Sequence, residues 1–136
     1  MNMDRVEDLM VRTPVFAEPW HLVSHVRKRM LTNSFSWIPI FHGKDESRKW
    51  VLLQDAGLMK WIRSDPDKKK QKARLAMPVG EAIADHELAV KDAHRCKPAT
   101  LIAAILVQMG ERPTLVTEKI QGEDRLLGII TAFDLL

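Results

Sequence analysis

The same order of segments runs twice along this chain of 136 residues. VEDLM opens the first half at Val6 and VGEAI opens the second at Val79, 73 residues on. An apolar stretch marked by proline, WIPIF around Pro39, returns as RPTLV around Pro113, 74 residues on. Between these markers lie an extended stretch (TPVFAEP, then ELAVKDA) and a helical pattern (HLVSHVRKRML, then ATLIAAILVQM). In the first helical pattern Leu22, Val23, Val26, Met30 and Leu31 recur at helical spacing. The second is apolar nearly all round, which predicts a more buried helix. After the proline strand each half has a polar turn, HGKDESRK or EKIQGEDR, then a second apolar strand, WVLL or LLGII, leading into a helix.

Repetition at a fixed offset is an architectural signal. Each half reads as a β-α-β-β-α unit, an α+β fold built of α/β-type repeats with pseudo-two-fold symmetry. Each small sheet exposes an apolar face that packing must cover. The expected division is residues 1–64 for the first repeat, 65–76 for a basic linker and 77–136 for the second.

Composition narrows the function. No apolar run approaches the roughly 20 residues of a membrane span, and MNMDRVEDLM lacks a signal core. Cys96 is the sole cysteine, so no internal disulfide forms. Both features fit a cytoplasmic protein with no direct membrane insertion. Lys68, Lys69, Lys70, Lys72 and Arg74 crowd into SDPDKKKQKAR. No aromatic residue is interleaved and no nucleic-acid motif flanks the run, so it reads as a solvated linker rather than a nucleic-acid surface. His21 and His25 share a helical face but no third metal ligand is placed beside them, and His94-x-Cys96 is weaker still. No nucleophile elbow or phosphate-cradling glycine loop is present. The chain reads as a non-enzyme. Trp20, Trp37, Trp50 and Trp61 all fall in the first repeat and read as core plus dimer contact.

The final stretch, GIITAFDLL, carries the sharpest ambiguity. Thr131 and Asp134 stand three apart where a strand turns into a helix. Such a pair caps a helix, with Asp134 reaching back to the Thr131 N–H. The same place offers free N–H groups to a phosphate and a carboxylate to the two hydroxyls of a ribose. Spacing alone favours the cap. Gly128 lets another backbone or ligand approach closely. From Ala132 only five residues remain, too few for a helix without packing support, which suits a minimal sensor or a module of a longer polypeptide.

Taken together, VEDLM, Pro39, Pro113 and Gly128-Ile-Ile-Thr131-Ala-Phe-Asp134 resemble a tandem pair of cystathionine-β-synthase (CBS) domains, a Bateman module, over nearly the whole chain. The resemblance implies a regulatory, energy-sensing module that binds AMP, ADP, ATP or S-adenosylmethionine in a cleft between the repeats, with no catalytic cofactor. It implies a homodimer and, as a target, an attached enzyme or transporter. Inside the two-fold plan the balance at Thr131 and Asp134 tips to a nucleotide site in the second repeat, with Gly128, Ile130, Arg112, Pro113, Thr114 and His86 as further candidates. Arg112 matches a phosphate as a planar fork. The first repeat departs from the pattern. One register sets Leu53 and Ala56 at the Thr131 and Asp134 positions; the other recovers Asp55 but sets Leu52 at the hydroxyl. The equivalent of Gly128 is then Trp50 or Lys49. The alternative function is a structural or dimerising module whose pockets bind nothing.

Overall fold

In the computed structural model, which describes residues 4–135, WIPIF and WVLL pair as antiparallel strands, β1 (Trp37–His42) and β2 (Lys49–Gln54), with Pro39 opposite Leu52. Pro39 is tolerated because its missing N–H lies on the edge strand of the order β1-β2-β3. Strand β3 (Lys91–Asp92) joins the other side of β2, antiparallel. Helix α2 (Val23–Asn33) lays Val23, Val26 and Met30 on the core and ends where Ser34 turns left-handed at φ 55°. Helix α3 (Asp55–Arg63) adds Leu58, Trp61 and Ile62. The buried Trp61 keeps its polar atom satisfied, since its indole N–H donates to the His86 carbonyl at 2.7 Å.

These elements belong to one of two compact units, Val15–Asp92; the other joins the chain up to Pro14 to the chain from Ala93. In the second unit β4 (His94–Cys96) runs parallel to β5 (Thr114–Ile120), which pairs antiparallel with β6 (Glu123–Ile130). The parallel step needs a crossover, and α6 (Ile102–Ile105) lies in it. Ile102, Ile105, Val116 and Ile130 form the apolar cluster together with Val6.

Val6 is the revealing member. Helix α1 (Val6–Leu9) opens the first sequence half, yet it packs with the strands of the second. The Val6 N–H donates to Thr100 O at 2.8 Å, and the Ile102 N–H donates to Asp4 O at 2.9 Å. Conversely α5 (Val79–Asp85), which opens the second half, packs on α2. The Val79 N–H donates to His21 O and the Gly80 N–H to Pro19 O, both at 2.8 Å. A Cβ at Gly80 would stand 2.8 Å from Pro19 Cβ, so only glycine admits this approach. Each compact unit therefore takes its opening helix from the other half of the sequence plan.

Several expected elements are shorter or displaced. TPVFAEP shrinks to a single parallel bridge, Ala17 with Ile40, because Pro14 and Pro19 deny the ladder two donors. In the second half the strand beside β5 is HRC at 94–96, and ELAVKDA instead lends Lys91 and Asp92 to the first sheet. ATLIAAILVQM is not a helix buried all round. Ile102 and Ile105 are buried and Met109 packs against them in part, while Leu106 and Val107 are 51% and 93% exposed. One sheet face can cover only one stripe of a helix lying on it. The basic linker is helical over Lys68–Leu75 (α4), with Asp67 as its cap accepting the Lys69 N–H at 2.9 Å. Among the described residues no helix is long and apolar enough to cross a membrane.

His21 sits at the clasp between the start of α2 and α5. Its Nδ1 accepts the Glu18 backbone N–H at 2.9 Å, so that nitrogen carries no proton. Burial first, then the charges of His25 and Arg29, push its pKa below the usual 6.5, with Glu18 opposing. Above the ordinary histidine pKa both folded and unfolded states are neutral and the contribution to stability is complete. As pH falls below that value the unfolded chain takes up the proton first, so stability is lost. Urea midpoints at pH 7.5 and 5.5 should show a larger drop for wild type than for His21→Gln; equal drops would refute the assignment.

Candidate functional site

Strand β6 carries its last paired residue, Ile130, opposite Thr114 on β5, and Thr114 in turn lies opposite His94 on β4. Ile130 and Thr114 are buried, which fixes the end of the sheet. Thr131 follows at the edge, and residues Ala132–Leu135 wind into one 3-10 turn. The turn closes when the Asp134 N–H donates to Thr131 O at 3.0 Å. The Asp134 side chain reaches back: Oδ2 accepts the Thr131 N–H at 2.7 Å and the Thr131 hydroxyl at 3.2 Å. This is the capping half of the sequence ambiguity, realised by the carboxylate rather than the hydroxyl. The Thr131 hydroxyl donates to the cap instead of accepting a backbone N–H. Such a cap stabilises by about 1 kcal/mol. Both bonds fall on one oxygen, and Oδ1 takes no hydrogen bond among the described residues.

Gly128 does permit a close approach, and the neighbour is the chain itself. Val11 pairs with Ile129 in an antiparallel bridge, through N–H···O bonds of 2.8 and 3.2 Å. A Cβ on Gly128 would stand 2.6 Å from Met10 Sδ and 2.8 Å from Val11 O. The ladder also slips between Val116 and Thr117, so that Leu127 is the extra residue of a bulge beside the glycine.

The remaining candidates are distributed unevenly. Pro113 and Thr114 are buried at the start of β5, and Arg112 just before them is half-buried. All lie in the same compact unit as Thr131. His86 is exposed and belongs to the other unit, where its carbonyl holds Trp61. His94, considered only for metal in the sequence, occupies the same row as Thr114 and Ile130. The displaced first strand hid it. Cys96 follows on β4, and burial pushes its thiol pKa up, which disfavours the nucleophilic thiolate. An open groove of about 780 Å³ runs past Arg95, Cys96, Lys97, Thr117 and Asp124, further along β5 than Thr114. An Arg95–Asp124 ion pair lies on its wall. Among the described residues no group of three or more His, Cys, Asp or Glu is placed to hold a metal ion.

Strand pairing decides the register of the first repeat. Ile40 faces Val51 as Thr114 faces Ile130, which sets Leu52 at Thr131, Asp55 at Asp134 and Lys49 at Gly128, although Asp55 opens its helix whereas Asp134 is the third residue of its turn. The carboxylate is kept, but a fully buried leucine replaces the hydroxyl. Trp50 points elsewhere and is buried against Phe16 and Phe41, at ring distances of 5.8 and 5.0 Å. Trp20 is 69% exposed and its ring lies 4.2 Å from that of His21, tilted by 60°.

No protein-family model matches the sequence, and no curated protein does. Solved structures match throughout. A hemolysin-like protein containing a CBS domain from Oenococcus oeni aligns at 14% identity with a TM-score of 0.68, over 98% of this chain and 88% of that one. CBSX2 in complex with AMP aligns at 18% identity and TM-score 0.62, over 96% and 92%. A hexameric CBS-CP12 protein from bloom-forming cyanobacteria aligns at 19% and 0.60, over 98% and 66%. At these identities the likeness is one of fold. The chain has the α+β architecture of a tandem CBS-domain pair.

Gly128→Ala should destabilise the protein by roughly 1–3 kcal/mol, the usual cost of overpacking, because the Val11 carbonyl cannot retreat without breaking its bridge. Urea denaturation checks this; an unchanged midpoint would mean that Met10 and Val11 do not hold this position.

Proposed function

We propose that this chain is a regulatory module whose second repeat binds an adenosyl compound, AMP, ADP, ATP or S-adenosylmethionine, at Thr131 and Asp134. The carrying observation is the carboxylate fixed at the end of β6, with Oδ2 tied to Thr131 and Oδ1 without a hydrogen bond among the described residues. A carboxylate at that point accepts hydrogen bonds from ribose hydroxyls, and charge-assisted bonds of this kind are the strong ones. Thr114 and Ile130, both buried, fix the strand ends beside it, Pro113 fixes the backbone, and Arg112 supplies the cation for a phosphate. His86 belongs to the set through the resemblance alone. Supporting the reading, CBSX2 was solved with AMP on the same fold. The ligand acts by preferring one packing state of the module over another, which an attached or separate enzyme or transporter would sense.

Calorimetric titration with the four compounds tests this. One of them should bind at millimolar Kd or tighter, and Asp134→Asn should weaken it about tenfold or more, given a loss of at least 1.4 kcal/mol. The cap role is read separately, as a fall in Tm without ligand. A lower Tm with unchanged affinity would leave the pair as a cap and nothing more.

A second reading, a dimerising module without ligand, is favoured by Leu106, Val107 and Phe133, which expose apolar surface in the terminal unit, Phe133 at 84%. The hexameric CBS-CP12 neighbour shows that the fold can self-associate. Analytical ultracentrifugation should give a dimer that Val107→Lys weakens. A dimer unaffected by nucleotide, with no thermal shift from any of the four compounds, would favour this second reading over the first.

A further inference from the structure

The positive charge of the protein is concentrated. The unit Val15–Asp92 holds fourteen Lys and Arg against ten Asp and Glu, whereas the rest holds seven against eight. Within residues 55–76 alone the count is seven against three. As a coil those cations would disperse in solvent. The structure instead holds five of the seven on α4, an eight-residue helix pinned along one side. Gln71 Nε2 donates to Asp65 O at 2.7 Å, and the Arg74 guanidinium donates to Trp61 O and Ser64 Oγ and lies over the Trp61 ring at 5.2 Å. Lys70 is paired with Asp65 at 3.6 Å. At about 100° per residue, Lys68, Lys69 and Lys72 then share an arc of about 100° turned away from Arg74 and Gln71. All three are exposed and have no ion pair among the described residues. Helix α3, packed beside α4, adds Lys60 and Arg63, also exposed.

This arrangement works against the helix that carries it. Lys68, Lys69 and Lys70 occupy the first turn, which contains no acid, at the positive end of the helix dipole, where cations are unfavourable. Lys68 and Lys72 are like charges at i and i+4, which also destabilise. Asp67 at the cap and Asp65 beside Lys70 offset part of this cost, but neither pairs with Lys68 or Lys72, and a local rule broken in this way is expected where function requires it.

We infer that the outer face of α4 docks the phosphate backbone of duplex DNA, independently of sequence. The choice of partner follows from what each occupant needs. Protein interfaces are built on aromatic residues and are depleted of lysine, and between residues 55 and 76 no large apolar side chain is exposed. The same lack removes the apolar anchor of a membrane-surface helix and the stacking platform for single strands. Phosphate contacts need only cations at fixed spacing, and the major groove of B-DNA admits an α-helix while that of an RNA duplex is too narrow.

Fluorescence anisotropy of the full chain with a labelled DNA duplex of arbitrary sequence tests the inference. Binding is expected at a Kd of roughly 10⁻⁴–10⁻⁶ M, and log K should fall with log salt with a slope of about −2.7 or steeper for three phosphates. The triple variant Lys68→Gln, Lys69→Gln, Lys72→Gln should lose at least about tenfold in affinity and flatten the slope by about that amount. A control triple with the same change in net charge, Lys44→Gln, Lys91→Gln, Lys119→Gln, should bind almost as wild type, and circular dichroism confirms that both remain folded. Four results would overturn the inference: no binding at low salt, equal loss in the control, equal or tighter binding to the single strand, or capture by phosphatidylserine vesicles without binding to the duplex.

Discussion

A sheet of three short strands needs helices over it to bury its apolar residues, and each unit here takes one of them from the other half of the sequence plan. Exchange of the opening helices meets the need. Val6 comes to rest with Ile102, Ile105, Val116 and Ile130, and Val79 and Ala82 with Val23, Val26 and Leu58. Full burial of one valine contributes roughly 1.5–3 kcal/mol, so each exchanged helix matters to a unit this small. The exchange depends on backbone approaches that two glycines permit. Gly80 lets α5 come against Pro19, and Gly128 lets the Met10–Val11 segment lie on β6. Polar backbone groups at these crossings are satisfied by each other, as buried donors and acceptors must be.

Much of this was legible in the sequence because repetition carries long-range information that single-residue propensities lack. The strand pairs around Pro39 and Pro113, the polar turns and the helix with Val23, Val26 and Met30 stand where periodicity put them. The first strand of each repeat was not legible. TPVFAEP and ELAVKDA have strand-like composition, but the number of ladder bonds depends on which donors face a partner, and prolines and register decide that. HRC, polar and short, gave no strand signal, and His94 was hidden with it. The helical pattern over 99–109, of which the structure keeps only Ile102–Ile105 as helix, misled for a different reason: apolar content reports how much surface wants burial, not how much the neighbouring sheet can cover.

Gly128 and the Thr131–Asp134 pair show the same division at the candidate site. Spacing described the physical demand at two of the three correctly, a close approach at the glycine and a carboxylate reaching back to an N–H, whereas the Thr131 hydroxyl donates to that carboxylate where a cap residue would accept. It could not name the group that meets the demand. For Gly128 that group is Met10 and Val11, more than a hundred residues earlier, which no local reading contains. In the first repeat the register was undecidable from residues alone, because Asp55 and Ala56 each fit one alignment. The Ile40–Val51 pairing favours Asp55 with Leu52, a carboxylate without its hydroxyl that stands at the first rather than the third position of its helix.

Under the proposed function, cap and ligand site are not competitors for Asp134. A free aspartate at a helix start samples several rotamers and must be ordered before it can hold a ribose, which subtracts from affinity. Here the two bonds to Oδ2 have already ordered it as part of folding, and the stabilisation of the turn offsets that entropy. The oxygen left over is therefore presented in a fixed direction at the strand end. Under the proposed reading the capping contacts are what would make a single carboxylate an effective sugar grip, and their absence at Leu52 is why the corresponding Asp55 is a poorer candidate. The same logic accounts for α4, where pinning by Gln71 and Arg74 along one side holds the three lysines of the other at constant spacing. In both places a fold contact on one side of a short helical element orients charge on the side that no fold contact uses.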